Sequence, residues 1–401
     1  MNLLTIEDID PQGKTIFLRS DINSPIDPVT GNILDKSRLV EASKTIRDLR
    51  SSKLVVASHQ GRLAKSDYVS MNEHVKVLSK LLDFKVDFIS DVFGPAAINA
   101  IKGMRNGDIL LLDNLRFTAE ENSEFSPDQA AKTQLVQRLS PHFDGCVIDA
   151  FSTAHRAHPS IIGFAEVMPA CPGRIVEREV TSLSSISEEK NTKFTTVLGG
   201  AKIPDRLSAI QTLLKANRVN KVLVGGLVGN TFLRATNKIS STSSSVTDEK
   251  SIVTARNLLE RYPDKFELPV DVAVDMDGDR REVGLDELKP DQKILDIGRI
   301  SIEKYSKIIE KSQDILMTGP AGMFERNGFD IGTNELLSAV AECDGRSITS
   351  GGHLSAALER LNLRSKIYHV STAGGALVLF LSGKRLPLID ALERSANQFR
   401  K

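Results

Sequence analysis

Arginine and histidine recur at, or just past, the ends of apolar runs in the first half of this 401-residue chain. Asp21 and Asn23 follow TIFLRS, His59 and Arg62 follow KLVVAS, Arg116 follows DILLL within DNLRF, and His155, Arg156 and His158 follow GCVI within DAFSTAHRAHPS. Arg38 opens the helical pattern after the first run. A guanidinium fork matches carboxylate or phosphate oxygens two at a time, so such a set can bind a small polyanion. Each residue also has a plainer reading. Arg116 precedes Glu120 and Glu121 and can simply pair with them, and a lone His is usually a hydrogen-bonded core or surface residue. His155 and His158 have the spacing of a metal pair, but no third ligand follows at a metal-like spacing, so no metal centre is expected.

The second half carries a different signal. Four Gly-Gly pairs, Gly199-Gly200, Gly225-Gly226, Gly351-Gly352 and Gly374-Gly375, each end an apolar run. Glycine at a strand end lets backbone approach a ligand closely and leaves amide N–H groups free for anions, above all where a helix begins. The string GGAKIPDR sets Lys202 and Arg206 at such a start, adding cations where phosphate oxygens would sit; a solvated first-turn Lys is the plainer alternative. The string is neither GxxxxGK[ST] nor GxGxxG.

Those residues need elements to hold them. In the first half, strand-like runs alternate with helical patterns near 35–50, 71–83, 95–104 and 128–140; in the second, FTTVL, KVLV, LPVDVAV, KILDI, DILMT, RSITS and KIYHVST alternate with further helices, one from Pro204. Such alternation predicts an α/β fold of two doubly wound, Rossmann-like parallel-sheet domains, whose strand carboxyl ends converge on one edge. Leu39, Ala42, Ile46 and Leu49 share the core face of the first helix, with Asp35 or Ser37 as N-cap. The predicted boundaries are 1–170, a hinge helix over 171–187 that begins in PACPGR, a second domain over 188–385, and a C-terminal segment over 386–401. The serine-rich stretch 239–250 reads as a polar loop without function.

Composition narrows the partners. Lys and Arg total 52 and Asp and Glu total 52, so no overall field favours nucleic acid or anionic lipid. No stretch of apolar residues reaches membrane-spanning length, and the first residues, MNLLTIEDIDPQGK, lack a signal-peptide pattern; a cytoplasmic location is expected. Cys146, Cys171 and Cys343 are scattered and odd in number, giving neither a disulfide framework nor zinc spacing.

The strings DINSP, SRL, SHQGR, DNLRF, DAFSTAHRAHPS, LGGAKIPDR, VGGLVGNTF, LPVDVAV, DIG, TGPAGMFE, SGGHLSAAL and HVSTAGGA resemble, in order and spacing, those of phosphoglycerate kinase, from about residue 15 to about 376. His353-Leu354 and the chain length look like the archaeal branch. The resemblance implies reversible phosphoryl transfer between 1,3-bisphosphoglycerate and ADP, giving 3-phosphoglycerate and ATP, by in-line transfer after domain closure. The first domain would bind phosphoglycerate through Asp21, Asn23, Arg38, His59, Gln60, Gly61, Arg62, Arg116 and Arg156, leaving His155 and His158 without a direct role. The second would bind the Mg2+ complex of ATP or ADP through Gly199, Lys202, Arg206, Gly225, Gly319, Glu325, Gly351, Gly352, His353 and Leu354, and residues 386–401 would return to the first. Arg38, Lys202, Gly352 and Gly375 would act on the phosphoryl group in flight.

No protein ligand to a metal, no nucleic-acid or membrane partner, and a monomer rather than a dimer are expected. Some positions depart from the family. Thr318 replaces an Asn, Arg206 stands where many relatives have Lys, His353-Leu354 replaces an Asp-Thr that would put a carboxylate near the metal, and Ser350 and Ala373 each replace a glycine. A nucleotide-binding oxidoreductase lacks its GxGxxG here, and a non-catalytic relative is argued against by Arg38, Lys202 and Glu325 together.

Overall fold

The computed structural model describes residues 2–189, 193–243 and 248–400, so part of the serine-rich stretch lies outside the described residues. The chain divides into two compact units: Met1–Leu183 with Arg385–Lys401, and Ser184–Lys384.

The first unit is built on strands β1 (Thr15–Ser20), β2 (Lys53–Ala57), β3 (Asp87–Ile89), β4 (Ile109–Leu112), β5 (Gly145–Asp149) and β6 (Ala170–Pro172). They pair in the order β3-β4-β2-β1-β5-β6, every pair parallel. Strands covered on both faces read as continuous apolar runs rather than alternating ones; β1, β4 and β5 are buried at every position. Helix α1 (Ser37–Asp48) buries Leu39, Ala42 and Ile46, and Leu49 just beyond it is equally buried. Its N-cap is Lys36, which makes no side-chain cap; Asp35 accepts the Ser37 N–H at 2.8 Å from one position further out. Helix α2 (Asn72–Leu82) follows β2. The helix expected over 128–140 is two, Pro127–Ala131 and Gln134–Leu139, broken at Thr133, whose hydroxyl donates back to the Ala130 carbonyl at 2.7 Å.

The division between the units falls inside helix α3 (Arg174–Glu188). Asp149, at the end of β5, holds its first turn: Oδ1 accepts the N–H groups of Ile175 at 2.8 Å and Val176 at 3.1 Å, while Oδ2 accepts the Thr45 hydroxyl of α1 at 2.6 Å.

The second unit repeats the scheme with β7 (Phe194–Leu198), helix α4 (Ile203–Lys215), β8 (Val219–Val224), helix α5 (Gly226–Ala235) and β9 (Phe266–Glu267). After these, β10 (Asp271–Met276), β11 (Asp279–Gly284) and β12 (Ile294–Ile297) form an antiparallel sheet of their own, order β11-β10-β12. LPVDVAV and KILDI therefore leave the parallel layer in which the sequence placed them. The reason is local: Asp277 and Gly278 both have positive φ, 56° and 95°, and close a two-residue hairpin that reverses the chain. The main sheet resumes with β13 (Asp314–Thr318), β14 (Arg346–Ser350), helix α6 (Gly352–Arg360), β15 (His369–Ser371) and helix α7 (Gly375–Leu381), its strands running β15-β14-β13-β7-β8-β9 and all parallel. Helix α8 (Pro387–Phe399) belongs to the first unit, where Ser395 Oγ accepts the Ala170 N–H of β6 at 2.8 Å. Among the described residues no helix is long and apolar enough to cross a membrane.

Asp149 satisfies three donors in a fully buried position. Asp149→Ala strands two N–H groups and a hydroxyl, and is expected to destabilise the protein by about 2–4 kcal/mol in denaturant unfolding; a loss below about 0.5 kcal/mol would show that α3 does not depend on this cap.

Candidate active site

The first unit gathers its polar residues where β1, β2, β4 and β5 end. Asp21 is buried beyond β1; its Oδ2 accepts from Arg38 Nη1 at 2.6 Å and from the Ser152 hydroxyl. Burial would raise the Asp21 carboxyl, but Arg38 and Ser152 hold it below its usual range. Arg38, in the first turn of α1 and partly exposed, is thus aimed by a buried acid. Asn23 Oδ1 accepts the Gly61 N–H at 3.1 Å, joining the ends of β1 and β2. Gln60 is fully buried and fully engaged: its side chain pairs with both backbone groups of Ser24 at 3.0 Å, and its own N–H and carbonyl pair with the Asn114 amide. Gln60 and Gly61 therefore build the turn that carries Arg62.

Arg62 is exposed, Arg156 half-buried and Arg116 buried. Among the described residues none of the three makes an ion pair. Burial, followed by repulsion among themselves, holds the Arg116 and Arg156 guanidinium groups below their ordinary value. The acids beside Arg116 in sequence are committed elsewhere. Glu120 accepts the N–H groups of Gln134 at 2.8 Å and Leu135 at 3.1 Å, and Glu121 faces inward onto His59 and Ser160.

His59 is where the structure differs most from the expectation of a ligand contact, because both ring nitrogens are taken. Nδ1 lies 2.8 Å from Arg19 Nη2 and Nε2 lies 2.7 Å from Glu121 Oε1. Arginine can only donate, so Nδ1 accepts and the ring proton sits on Nε2, donated to Glu121. Burial, helped by the Arg19 charge, drives His59 down to about 3, so it is neutral. Burial alone would raise Glu121; its hydrogen bond from His59 and the Arg19 charge overcome that and keep it ionised. Arg19 also donates to Ser160 Oγ at 2.9 Å and to the Ser20 carbonyl. His59, Glu121 and His158 place ligand-type atoms within 4.8 Å of one another, yet the Nε2 proton and the adjacent guanidinium close that spot to a metal. His158 Nδ1 is buried without a hydrogen-bond partner, 4.0 Å from Glu121 Oε1, and His155 lies half-buried.

In the second unit the glycine pairs separate into two kinds. The Gly199 and Gly200 N–H groups donate to the carbonyls of Thr318 at 2.9 Å and Pro320 at 2.8 Å, and those of Gly225 and Gly226 donate to Leu198 at 3.0 Å and Ala321 at 2.5 Å. None of these amides is free for an anion, contrary to the expectation. Their glycines serve close backbone approach: a Cβ on Gly199 would lie 2.2 Å from the Pro320 oxygen, and one on Gly319, at φ +79°, 2.3 Å from the Gly199 oxygen. The other two pairs are open. Gly351 and Gly374 have nothing within 4 Å of a built Cβ, and Gly352 and Gly375 begin α6 and α7 exposed, their N–H groups unpartnered among the described residues.

Lys202 is exposed as the N-cap of α4. Arg206, one turn on, donates from Nη1 to Thr318 Oγ1. Glu325 and His353 are both exposed, 3.4 Å apart, with the imidazole stacked at 22° to the Phe324 ring; Leu354 is buried.

Parallel sheets whose strand ends carry guanidinium groups without an ion pair among the described residues in one unit, and open helix starts together with an exposed lysine at a further helix start in the other, define an α/β enzyme of phosphorylated small molecules. A family model described as phosphoglycerate kinase matches residues 6–384. The chain is 41% identical over 398 residues to a phosphoglycerate kinase of Methanothermus fervidus, covering 98% of this chain and 97% of that one. It is 40% identical over 402 residues to phosphoglycerate kinase 1 of Methanosarcina acetivorans, with coverage of 98% and 97%. The crystal structure of the Pyrococcus horikoshii phosphoglycerate kinase superposes with TM-score 0.89 at 36% identity, covering 99% of this chain and all of that one; the Coxiella burnetii structure gives 0.76 at 31%, covering 98% and 99%. The chain belongs to the phosphoglycerate kinase family.

Sequence reasoning missed Arg19, Ser152 and the inward role of Glu121. The available signal was a lone arginine inside the otherwise buried run TIFLRS. The network predicts an acid limb in stability. The folded state refuses the His59 proton that an unfolded histidine accepts near 6.5, and resists protonating Glu121, so stability falls as pH drops below about 6.5. His59→Gln can still accept from Arg19 and donate to Glu121, and calorimetric melts between pH 7 and 4 are expected to show a shallower fall than wild type; parallel curves would refute the neutral-histidine assignment.

Proposed function

We propose that this chain, a phosphoglycerate kinase by family, holds 3-phosphoglycerate or 1,3-bisphosphoglycerate on its first unit and the magnesium complex of ATP or ADP on its second. The observation that carries the first half is the trio Arg62, Arg116 and Arg156, mutually repelling and without an ion pair among the described residues. Such a set is stabilised by a polyanion and by little else on the protein. Asp21 orients Arg38, Asn23 and the 60–61 turn fix Arg62, and His59 is a positioning residue that acts through Arg19 and Glu121.

For the nucleotide, the knitted segments around Gly199, Gly225 and Gly319 form a close-packed floor for adenosine, Glu325 takes the ribose hydroxyls, and the open N–H groups of Gly351, Gly352 and Gly375 with Lys202 and Arg206 take phosphate oxygens. The groups assigned to the phosphates are N–H groups, an ammonium, a guanidinium and the His353 imidazole, which suit phosphate rather than a hard cation, while the Glu325 carboxylate, 3.4 Å from His353, is assigned to the ribose. Magnesium therefore fits as part of the nucleotide, held by phosphate and water, where it neutralises phosphate charge.

In the ATP-consuming direction the nucleophile is a carboxylate, ionised far above its pKa of about 4, so no general base is required. Catalysis reduces to positioning and charge stabilisation by Arg38, Lys202 and the helix-start amides of Gly352 and Gly375. A closed state that excludes water is needed, since ATP would otherwise be hydrolysed. The proposal extends to a cytoplasmic monomer with small-molecule partners only.

A coupled assay with 3-phosphoglycerate, ATP and Mg2+ is expected to show turnover, and none would end the proposal. Lys202→Ala is expected to lower kcat about a hundredfold or more with little change in nucleotide affinity, roughly 3 kcal/mol on the barrier; a near-normal kcat would remove Lys202 from the transition state. Calorimetry on Arg62→Ala is expected to show weakened 3-phosphoglycerate binding with nucleotide binding intact, and the reverse pattern would overturn the assignment of ligands to units.

A further inference from the structure

We propose that Thr318 is the positioning residue for Arg206, and that the two side chains work as one unit in holding a nucleotide phosphate; this rests on the nucleotide reading of the second unit given above. Arg206 lies in the first turn of α4, just after the Gly199-Gly200 strand end, and Thr318 is the last residue of β13, the strand paired with β7. Arg206 Nη1 donates to Thr318 Oγ1. The anchor itself is held on both sides: Thr318 is 4% exposed, and its carbonyl accepts the Gly199 N–H at 2.9 Å. A buried β-branched side chain is restricted at χ1, so the acceptor oxygen has little freedom relative to the sheet.

The rest of the guanidinium is uncommitted. Its Nε is buried without a hydrogen-bond partner, and Arg206 forms no ion pair among the described residues. Arginine carries five N–H donors, of which the hydroxyl takes one. Burial holds the Arg206 guanidinium below its ordinary value, with the Asp205 charge pulling the other way, so the side chain lies in a poorly solvated place where an incoming anion meets little competition from water.

A hydroxyl is a different anchor from a carboxylate. A carboxylate would orient the fork but cancel its charge, whereas a neutral acceptor orients it and leaves the full charge for the ligand. Lysine behaves differently at such a site: a compact charge with freely rotating donors gains little from a fixed acceptor. Position 318 should therefore matter when residue 206 is arginine and matter little when it is lysine.

A double-mutant cycle tests this on the full-length protein, with Mg-ADP binding measured by calorimetry and the nucleotide KM and kcat measured by the coupled assay. Thr318→Val is expected to weaken Mg-ADP binding about fivefold or more in the Arg206 background and less than about twofold in the Arg206→Lys background. Its effect should fall on nucleotide KM more than on that of 3-phosphoglycerate, and Thr318→Ser, which keeps the hydroxyl, should restore affinity to within about twofold of wild type. Equal losses in both backgrounds, or wild-type affinity in Thr318→Val, overturns the inference. If circular dichroism shows that Thr318→Val does not fold, Thr318→Ala takes its place in the same cycle under the same criteria. Wild-type protein that binds Mg-ADP with the expected coupling but shows no turnover would defeat the kinase reading and leave the Arg206–Thr318 unit standing.

Discussion

A guanidinium buried inside a parallel sheet sets the terms for the first unit. Arg19 is 1% exposed on β1, a strand buried at every position, and an unpaired charge there would be prohibitively costly. It is satisfied by the Ser20 carbonyl, Ser160 Oγ and His59 Nδ1, while the compensating charge, Glu121, lies on the far side of the imidazole. The network thereby ties together the end of β1, the end of β2, the segment after β4 and the segment after β5. Those are the segments that carry Asp21, Arg62, Arg116 and Arg156. A breakable polar link would be a poor tie at the surface, but in a buried setting a fully partnered network is rigid because every alternative leaves a donor or an acceptor orphaned. Arg62, Arg116 and Arg156 can then remain without an ion pair among the described residues, neither drifting apart nor finding acids.

The second unit solves the same problem with backbone instead of charge. The ends of β7, β8 and β13 are stitched by N–H to carbonyl bonds between the 199–200, 225–226 and 318–321 segments, at separations that a side chain at Gly199 or Gly319 would forbid. That stitching consumes the amides, so the surface it forms is a packed floor. Among the glycine pairs, unpartnered amides remain where α6 and α7 begin, because the first N–H groups of a helix have no intrahelical acceptor. Glycine pairs that look alike in the sequence thus do opposite things: two admit backbone to backbone, and two leave backbone bare.

The positions at which the resemblance is imperfect are accommodated unevenly by the structure. Arg206 and Thr318 account for one another through a single hydrogen bond. Ser350 donates its hydroxyl to the Ala373 carbonyl, so those two positions are also joined. His353 is met by Glu325 and Phe324, which gives the imidazole a place.

Local chemistry was legible in the sequence wherever a pattern repeats within a strand or a turn of helix. The apolar runs of β1, β4, β5, β7 and β13, the core face of α1, and the positions of Arg62, Arg116, Lys202 and the glycine pairs all follow from periodicity and strand-end placement. The order of those segments, set against a known family, also identified the protein's class. Hydrogen-bond partnership across the sheet was not legible, because it depends on which strand ends become neighbours. Glu121 could as well have paired with Arg116 as with His59, and only the burial of Arg19 decides between them. The amides of Gly199 and Gly351 are chemically the same group; a carbonyl stands opposite the first, and among the described residues no backbone acceptor stands opposite the second. Residue types and spacing therefore determined which groups this protein can offer, and tertiary structure decided which of them remain unspent, since a donor is available to a ligand only when the fold has not already satisfied it.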